Sequence, residues 1–206
     1  MTLRGISLPS LLLLLGFACD SPPDPSEAPK ASATPAAAKP PSAPKASGAA
    51  GELVFSPPSG WIVEKPTSNM RKAQYKLPRA QGDTDDASLV VFFFGSAGGG
   101  GREANLTRWA GQFEQPDGTD SSQRMQSTDR TVNGLPVTEV ELSGTYVAET
   151  TPGSGERVRK ENWRMLAAIV EAPAGSYYVK LVGPSETLRS WESSYKTFLD
   201  ALEAAP

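Results

Sequence analysis

Histidine is absent from the 206-residue chain, and cysteine occurs once, at Cys19. A single thiol excludes an intrachain disulfide. The two shortages together exclude zinc sites of the Cys/His type, and with them the catalytic triads and dyads that need an imidazole or a buried thiol. Excess charge of one sign is also missing: 20 Lys/Arg stand against 23 Asp/Glu, a net charge of −3. Four of the basic and three of the acidic residues lie in the first 51 positions, which leaves 16 and 20 beyond them, about −4. Nucleic acid is bound through clustered cations, so it is not an expected partner. The one dense basic run, Arg157, Arg159, Lys160 and Arg164, reads as a guarded strand edge.

What is present falls into three unlike parts. Residues 1–18 carry Arg4 and then a 13-residue, largely apolar run, Ile6–Ala18. That run is shorter than the roughly 20 apolar residues of a membrane-spanning helix, and so it reads as a secretory signal. Cys19 follows directly. Leu15, Ala18 and Cys19 resemble the lipobox of bacterial lipoproteins, with Gly16 and Phe17 departing from the usual pattern. The resemblance implies cleavage before Cys19, acylation of its thiol and anchoring in a membrane of the cell envelope by two or more chains. Inner and outer membrane both remain open at Asp20.

Residues 19–51 hold the second part. Ser21–Ala50 contains eight prolines and ten alanines, with no aromatic residue and no Val, Ile, Leu or Met. Such a segment cannot bury enough apolar surface to offset its ordering entropy, and its prolines favour extended polyproline II. It is expected to be a disordered tether of up to roughly 90 Å at about 3.1 Å per residue.

Residues 52–206 are expected to form one domain. Arg71–Leu77 alternates, with Ala73, Tyr75 and Leu77 facing one way, as in a half-buried strand. Ala87–Phe94 is a continuous apolar run of the kind found in central strands. After the glycine-rich loop Gly95–Gly101, Leu106, Trp109, Ala110 and Phe113 have helical spacing, and a helix is expected over Arg102–Phe113, ended by Pro116 and Gly118. Asn133–Gly134 marks a hairpin between Asp129–Val132 and Leu135–Val147. Trp163–Val170 and Tyr177–Val182 read as strands. A last helix begins at Pro184–Ser185 and buries Leu188, Trp191, Tyr195, Phe198 and Leu202. Short connections favour an α+β fold: a mostly antiparallel sheet of six to eight strands with helices packed on it.

Several clusters carry a resemblance to a family. These are Gly60–Trp61, Met70–Arg71, Asn105-x-x-Arg108–Trp109-x-x-Gln112–Phe113, Val132–Asn133–Gly134–Leu135–Pro136 and Lys180–Leu181-x-Gly183–Pro184. Together they resemble bacterial lipoproteins with a PsbP-like domain, over roughly residues 52–203. The wider group includes the extrinsic PsbP subunit of photosystem II and a eukaryotic Ran-binding import factor. The resemblance implies a sheet sandwiched between helices. It implies no activity, because functions in the group are unrelated.

The chemistry-bearing clusters are few. Gly95–Gly101 stands where phosphate loops stand but lacks their Lys–Ser/Thr, which favours a surface loop. Asp83, Asp85 and Asp86 resemble half a calcium loop, yet the twelfth position is Phe94, not glutamate. Neither a metal nor another cofactor is therefore expected. Glu139 and Glu141 share a strand face about 7 Å apart, a spacing that acid/base hydrolysis could use only in a cleft. Asn105, Arg108 and Gln112 at i, i+3 and i+7 would share a helix face beside Trp109, with Arg108 able to pair with a buried backbone carbonyl or with an acidic strand residue such as Glu139 or Glu141, or the three able to rim a ligand or partner site. These features favour a non-catalytic binding or support module anchored to a membrane and open to an envelope protein partner. A small-ligand or anion carrier using Asn105, Arg108 and Gln112 is the alternative, and a carboxylate-dependent hydrolase is the third.

Overall fold

The computed structural model describes residues 49–96, 98–149 and 154–206. The signal region, Cys19 and the tether up to residue 48 lie outside the described residues, as do position 97 of the glycine-rich segment and positions 150–153.

The strands are β1 (Leu53–Val54), β2 (Ile62–Glu64), β3 (Arg71–Leu77) and β4 (Ala87–Phe93). Helix α1 (Arg102–Ala110) follows, then β5 (Phe113–Glu114), β6 (Gln126–Val132), β7 (Leu135–Tyr146), β8 (Lys160–Ala172) and β9 (Gly175–Pro184). Helix α2 (Ser185–Asp200) and β10 (Glu203–Ala204) close the domain. Strands β2 to β9 form one eight-stranded sheet in the order β2-β3-β4-β9-β8-β7, with β5 and β6 sharing the outer edge of β7. Every pairing in it is antiparallel. β1 and β10 pair separately, joining the start of the domain to its end. The fold is α+β, as its short connections require.

Period-two alternation sends each strand's residues to two different cores. From β9, Tyr177, Val179 and Leu181 enter a core with Leu188, Tyr195, Phe198 and Leu199 of α2. Tyr178 of β9 enters the other core, with Trp109, Phe113, Val140, Leu142 and Met165. The sheet is thus covered by α2 on one face and by α1 on the other. Asn133 (φ 47°) and Gly134 (φ 84°) make the β6–β7 hairpin turn, whose two left-handed positions Asn and Gly tolerate best.

The two helices cover unequal amounts of sheet. α2 has 16 residues, about 24 Å of length. α1 has nine, about 14 Å. The helix expected over Arg102–Phe113 ends at Ala110 because Gly111 caps it, and Phe113 buries its ring from β5 instead. Leu202 is fully buried but lies just past the end of α2. Because α1 is short, Phe92, Phe94, Tyr146, Trp163 and Val182 on its side of the sheet pack on the core while remaining partly exposed.

The acidic turn before β4 serves α2. Pro184 precedes that helix and offers no side-chain cap. Asp83 supplies it: its Oδ2 accepts the Thr187 backbone N–H at 2.9 Å and the Thr187 hydroxyl at 2.6 Å. Asp85 pairs with Lys160 at 3.0 Å, and Asp86 accepts the Arg79 N–H at 2.9 Å. Among the described residues no group of three or more Asp, Glu, Cys or His could hold a metal ion. No described helix is long and apolar enough to cross a membrane.

Candidate functional site

The Gly95–Gly101 loop and α1 are built around Asn105, which is fully buried. Its Nδ2 donates to the carbonyl oxygens of Gly99 at 2.9 Å, Gly100 at 3.3 Å and Gly101 at 3.0 Å. The Tyr178 hydroxyl donates to Gly100 O at 2.6 Å. Gly99 (φ 90°) has to be glycine, since a Cβ there would stand 2.6 Å from the Tyr178 ring. The groups gathered here are carbonyl oxygens, which repel an anion, so the loop is no phosphate cradle. It is a brace that fixes the start of α1.

Asn105 is therefore not part of an exposed polar rim. It acts from beneath: its Oδ1 accepts a hydrogen bond from Arg108 Nη2 and sets the guanidinium. Arg108 does not pair with Glu139 or Glu141. Glu139 is bonded by Arg130, which also reaches Asp200, and Glu141 by Arg164, which also reaches Glu192. With both glutamates engaged by guanidinium groups, that strand face offers no carboxyl free to deliver a proton.

Gln112 lies beyond the helix end and not on its face, yet it reaches the same place as Arg108. Its Oε1 accepts a hydrogen bond from Lys180 Nζ. Phe92, Phe94, Arg108, Trp109, Gln112, Tyr178 and Lys180 line one cavity of about 190 Å³. Its floor is the uncovered part of the sheet and one wall is the end of α1. Tyr146 extends the aromatic lining: its hydroxyl is 3.4 Å from Lys180 Nζ, and its ring centroid is 5.2 Å away. Tyr146 is itself held by stacking on Trp163 at 5.4 Å and by the Phe113 edge at 5.3 Å.

Lys180 is the residue that spacing along the helix could not reveal. It is the only charged residue between Tyr177 and Val182, and strand parity puts it on the Tyr178 face. Burial in the aromatic pocket, reinforced by the Arg108 charge, pulls its amine down from 10.5 to about 7. Burial also raises the Tyr146 phenol. Among the described residues, no ion pair with a carboxylate is made by either Lys180 or Arg108.

A larger open groove of about 800 Å³ runs between α1, β5 and the 3₁₀ turn Ser121–Gln123. Its polar groups bond to one another. Ser121 donates to Phe113 O at 2.8 Å and accepts from Gln115 at 2.9 Å, while Asp120 caps the turn through Ser122 N at 2.8 Å. Glu103 and Glu114 on its rim pair with Arg102 and Arg159, and Asp120 is spent on the turn, whereas the smaller cavity holds two cations without carboxylate partners.

No protein-family model matches the chain. No curated protein matches it either. Solved structures similar to it include LpqN of Mycobacterium tuberculosis, involved in cell envelope biogenesis, at 10% identity and a TM-score of 0.43 over 75% of this chain and 83% of LpqN. The cyanobacterial PsbP of Synechocystis is similar at 15% identity and a TM-score of 0.42, over 74% of this chain and 86% of that one. The fold class stands on the chain's own strand order and its two helix-covered faces.

Proposed function

We propose that the chain is a lipid-anchored binding module of the bacterial envelope whose α1-side cavity takes a small organic anion with a flat apolar body. Cys19 would carry the anchor, and the proline-rich segment would hold the domain off the lipid surface. Asn105 positions Arg108, while Arg108, Gln112 and Lys180 face the ligand. The observation that carries this reading is the pair of cations without carboxylate partners in one aromatic-walled cavity. Desolvating the Lys180 amine without a counter-charge is costly, and an anionic ligand held also by the more exposed Arg108 would supply the missing charge. Phe92, Phe94, Trp109 and Tyr178 give the cavity an aromatic lining suited to a planar apolar body. The volume, about 190 Å³, is below the usual range of drug-sized sites and matches a one-ring acid better than a nucleotide.

Thermal shift and tryptophan fluorescence with benzoate and phenylacetate, against acetate and chloride, test the reading. The aromatic acids should stabilise the fold, and Arg108→Ala and Lys180→Met should each remove the effect while the protein stays folded. Equal response to all four anions, or undiminished binding in both variants, would refute it.

A further inference from the structure

Lys180 has a placement that simple charge recognition does not require. Its amine is held by neutral groups alone, the Gln112 amide oxygen and the Tyr146 hydroxyl at 3.4 Å, at the floor of a cavity large enough for a second molecule. The Arg108 guanidinium lines the same cavity without a carboxylate of its own. An amine and an anion-binding group facing one small space suit a ligand that carries a carbonyl and a carboxylate together.

Building on the anion-binding reading, we propose that Lys180 captures an aromatic 2-oxo acid reversibly as an imine, with Arg108 holding its carboxylate. The Nζ lone pair attacks the carbonyl carbon, forming the C–N bond as the C=O π pair moves to oxygen. The two N–H protons then leave with that oxygen as water, and the C=N bond forms. Amine and carbonyl give imine and water, with no change of oxidation state and no further reactant. The Tyr146 hydroxyl is placed to relay the protons. The attacking form is the neutral amine. With the group drawn down to about 7, on the order of half of it is neutral at that pH, whereas an exposed lysine is almost wholly charged. Desolvation and a neighbouring cation are the recognised means of activating a lysine for this chemistry.

The test is reductive trapping on the full chain in detergent. The protein is incubated with phenylpyruvate and sodium cyanoborohydride at about pH 7, and the modified lysines are mapped by peptide mass. The expected result is one adduct, at Lys180, formed well ahead of any at Lys65, Lys72, Lys76 or Lys196, and slowed at least tenfold in Arg108→Ala. Labelling spread evenly over the lysines, or an unmodified Lys180, overturns the proposal. Phenylacetate binding measured on the same sample separates the two readings. Binding without an adduct removes the imine and leaves the anion pocket standing; neither binding nor adduct removes both.

Discussion

Asn105 and Arg108, one helical turn apart, form a relay in which a fully buried amide fixes an exposed guanidinium. The amide is oriented by three carbonyl oxygens on one side, so that its oxygen is left to face Arg108. Asn105→Asp keeps the shape but removes the NH2 donor, setting a carboxylate against the Gly99, Gly100 and Gly101 oxygens. It should destabilise the domain by about 1–3 kcal/mol, the cost of leaving buried polar groups unsatisfied. It should also weaken aromatic-acid binding further, because the new carboxylate competes for Arg108. Urea unfolding and fluorescence titration check the two effects, and a variant of unchanged stability would show that Asn105 does not brace the loop.

Trp109 is 3% exposed and central to the core beneath α1. Trp109→Ala should cost about 3–5 kcal/mol. Leu106→Ala, on the same helix but partly exposed, should cost less. Phe113→Ala should resemble Trp109→Ala, because its ring fills the same core from β5. Thermal and urea denaturation of the three variants give this ranking; a Leu106→Ala cost equal to that of Trp109→Ala would contradict the one-sided packing of α1.

The α1 region shows how much of the site was legible. The spacing of Leu106, Trp109, Ala110 and Phe113 marks a buried stripe, of which Trp109, Ala110 and Phe113 are buried and Leu106 is half-buried. It could not say that Gly111 would stop the helix between them, because an apolar residue one turn on is equally at home in a following strand. Gln112 therefore left the helix face but still met Arg108 at the cavity. Lys180, part of the Lys180–Leu181-x-Gly183–Pro184 cluster, does not read as a site residue for a different reason. In a strand buried on both faces a single lysine reads as an interruption, and its side of the sheet is set by pairing with β4 and β8, residues far away in sequence. The partners of Glu139 and Glu141 are likewise settled by strand pairing, with Arg130 diagonally across the hairpin from Glu139 and Arg164 reaching Glu141 from β8. The long strands β3, β4, β7, β8 and β9 and the hairpin turn at Asn133–Gly134 are legible because local pattern and turn chemistry decide them, whereas the two-residue strands β1, β5 and β10 leave no such pattern.

The anchor is tested apart from the site. Cells given a clickable palmitate analogue should label the wild-type chain and not Cys19→Ser. The variant should move from the membrane fraction to the soluble envelope fraction, because without acyl chains nothing in the described residues is long and apolar enough to span a membrane. Labelling that persists in Cys19→Ser would place the acyl group elsewhere or remove it from the account.

Lys180 also makes a prediction about stability against pH. The charges and polar groups facing it are Arg108 from α1, Gln112 beyond the helix end, and Tyr146 and Tyr178 from the sheet. The folded chain holds this amine at about 7, while the unfolded chain returns it to 10.5. Below 7 the group is charged in both states, and the folded state carries the whole penalty of a buried cation. Between the two values the unfolded chain binds more protons, so this group makes stability rise with pH, and above 10.5 the penalty is gone. Lys180→Met removes the cation at every pH. Its gain in urea midpoint over the wild type should therefore be largest below 7 and shrink steadily toward 10.5. An anionic ligand acts in the opposite sense, raising the amine's affinity for its proton, so wild-type binding of benzoate should weaken as pH rises through 7. A Lys180→Met gain that does not change with pH would mean that the amine is not desolvated, and would remove the electrostatic basis of the site.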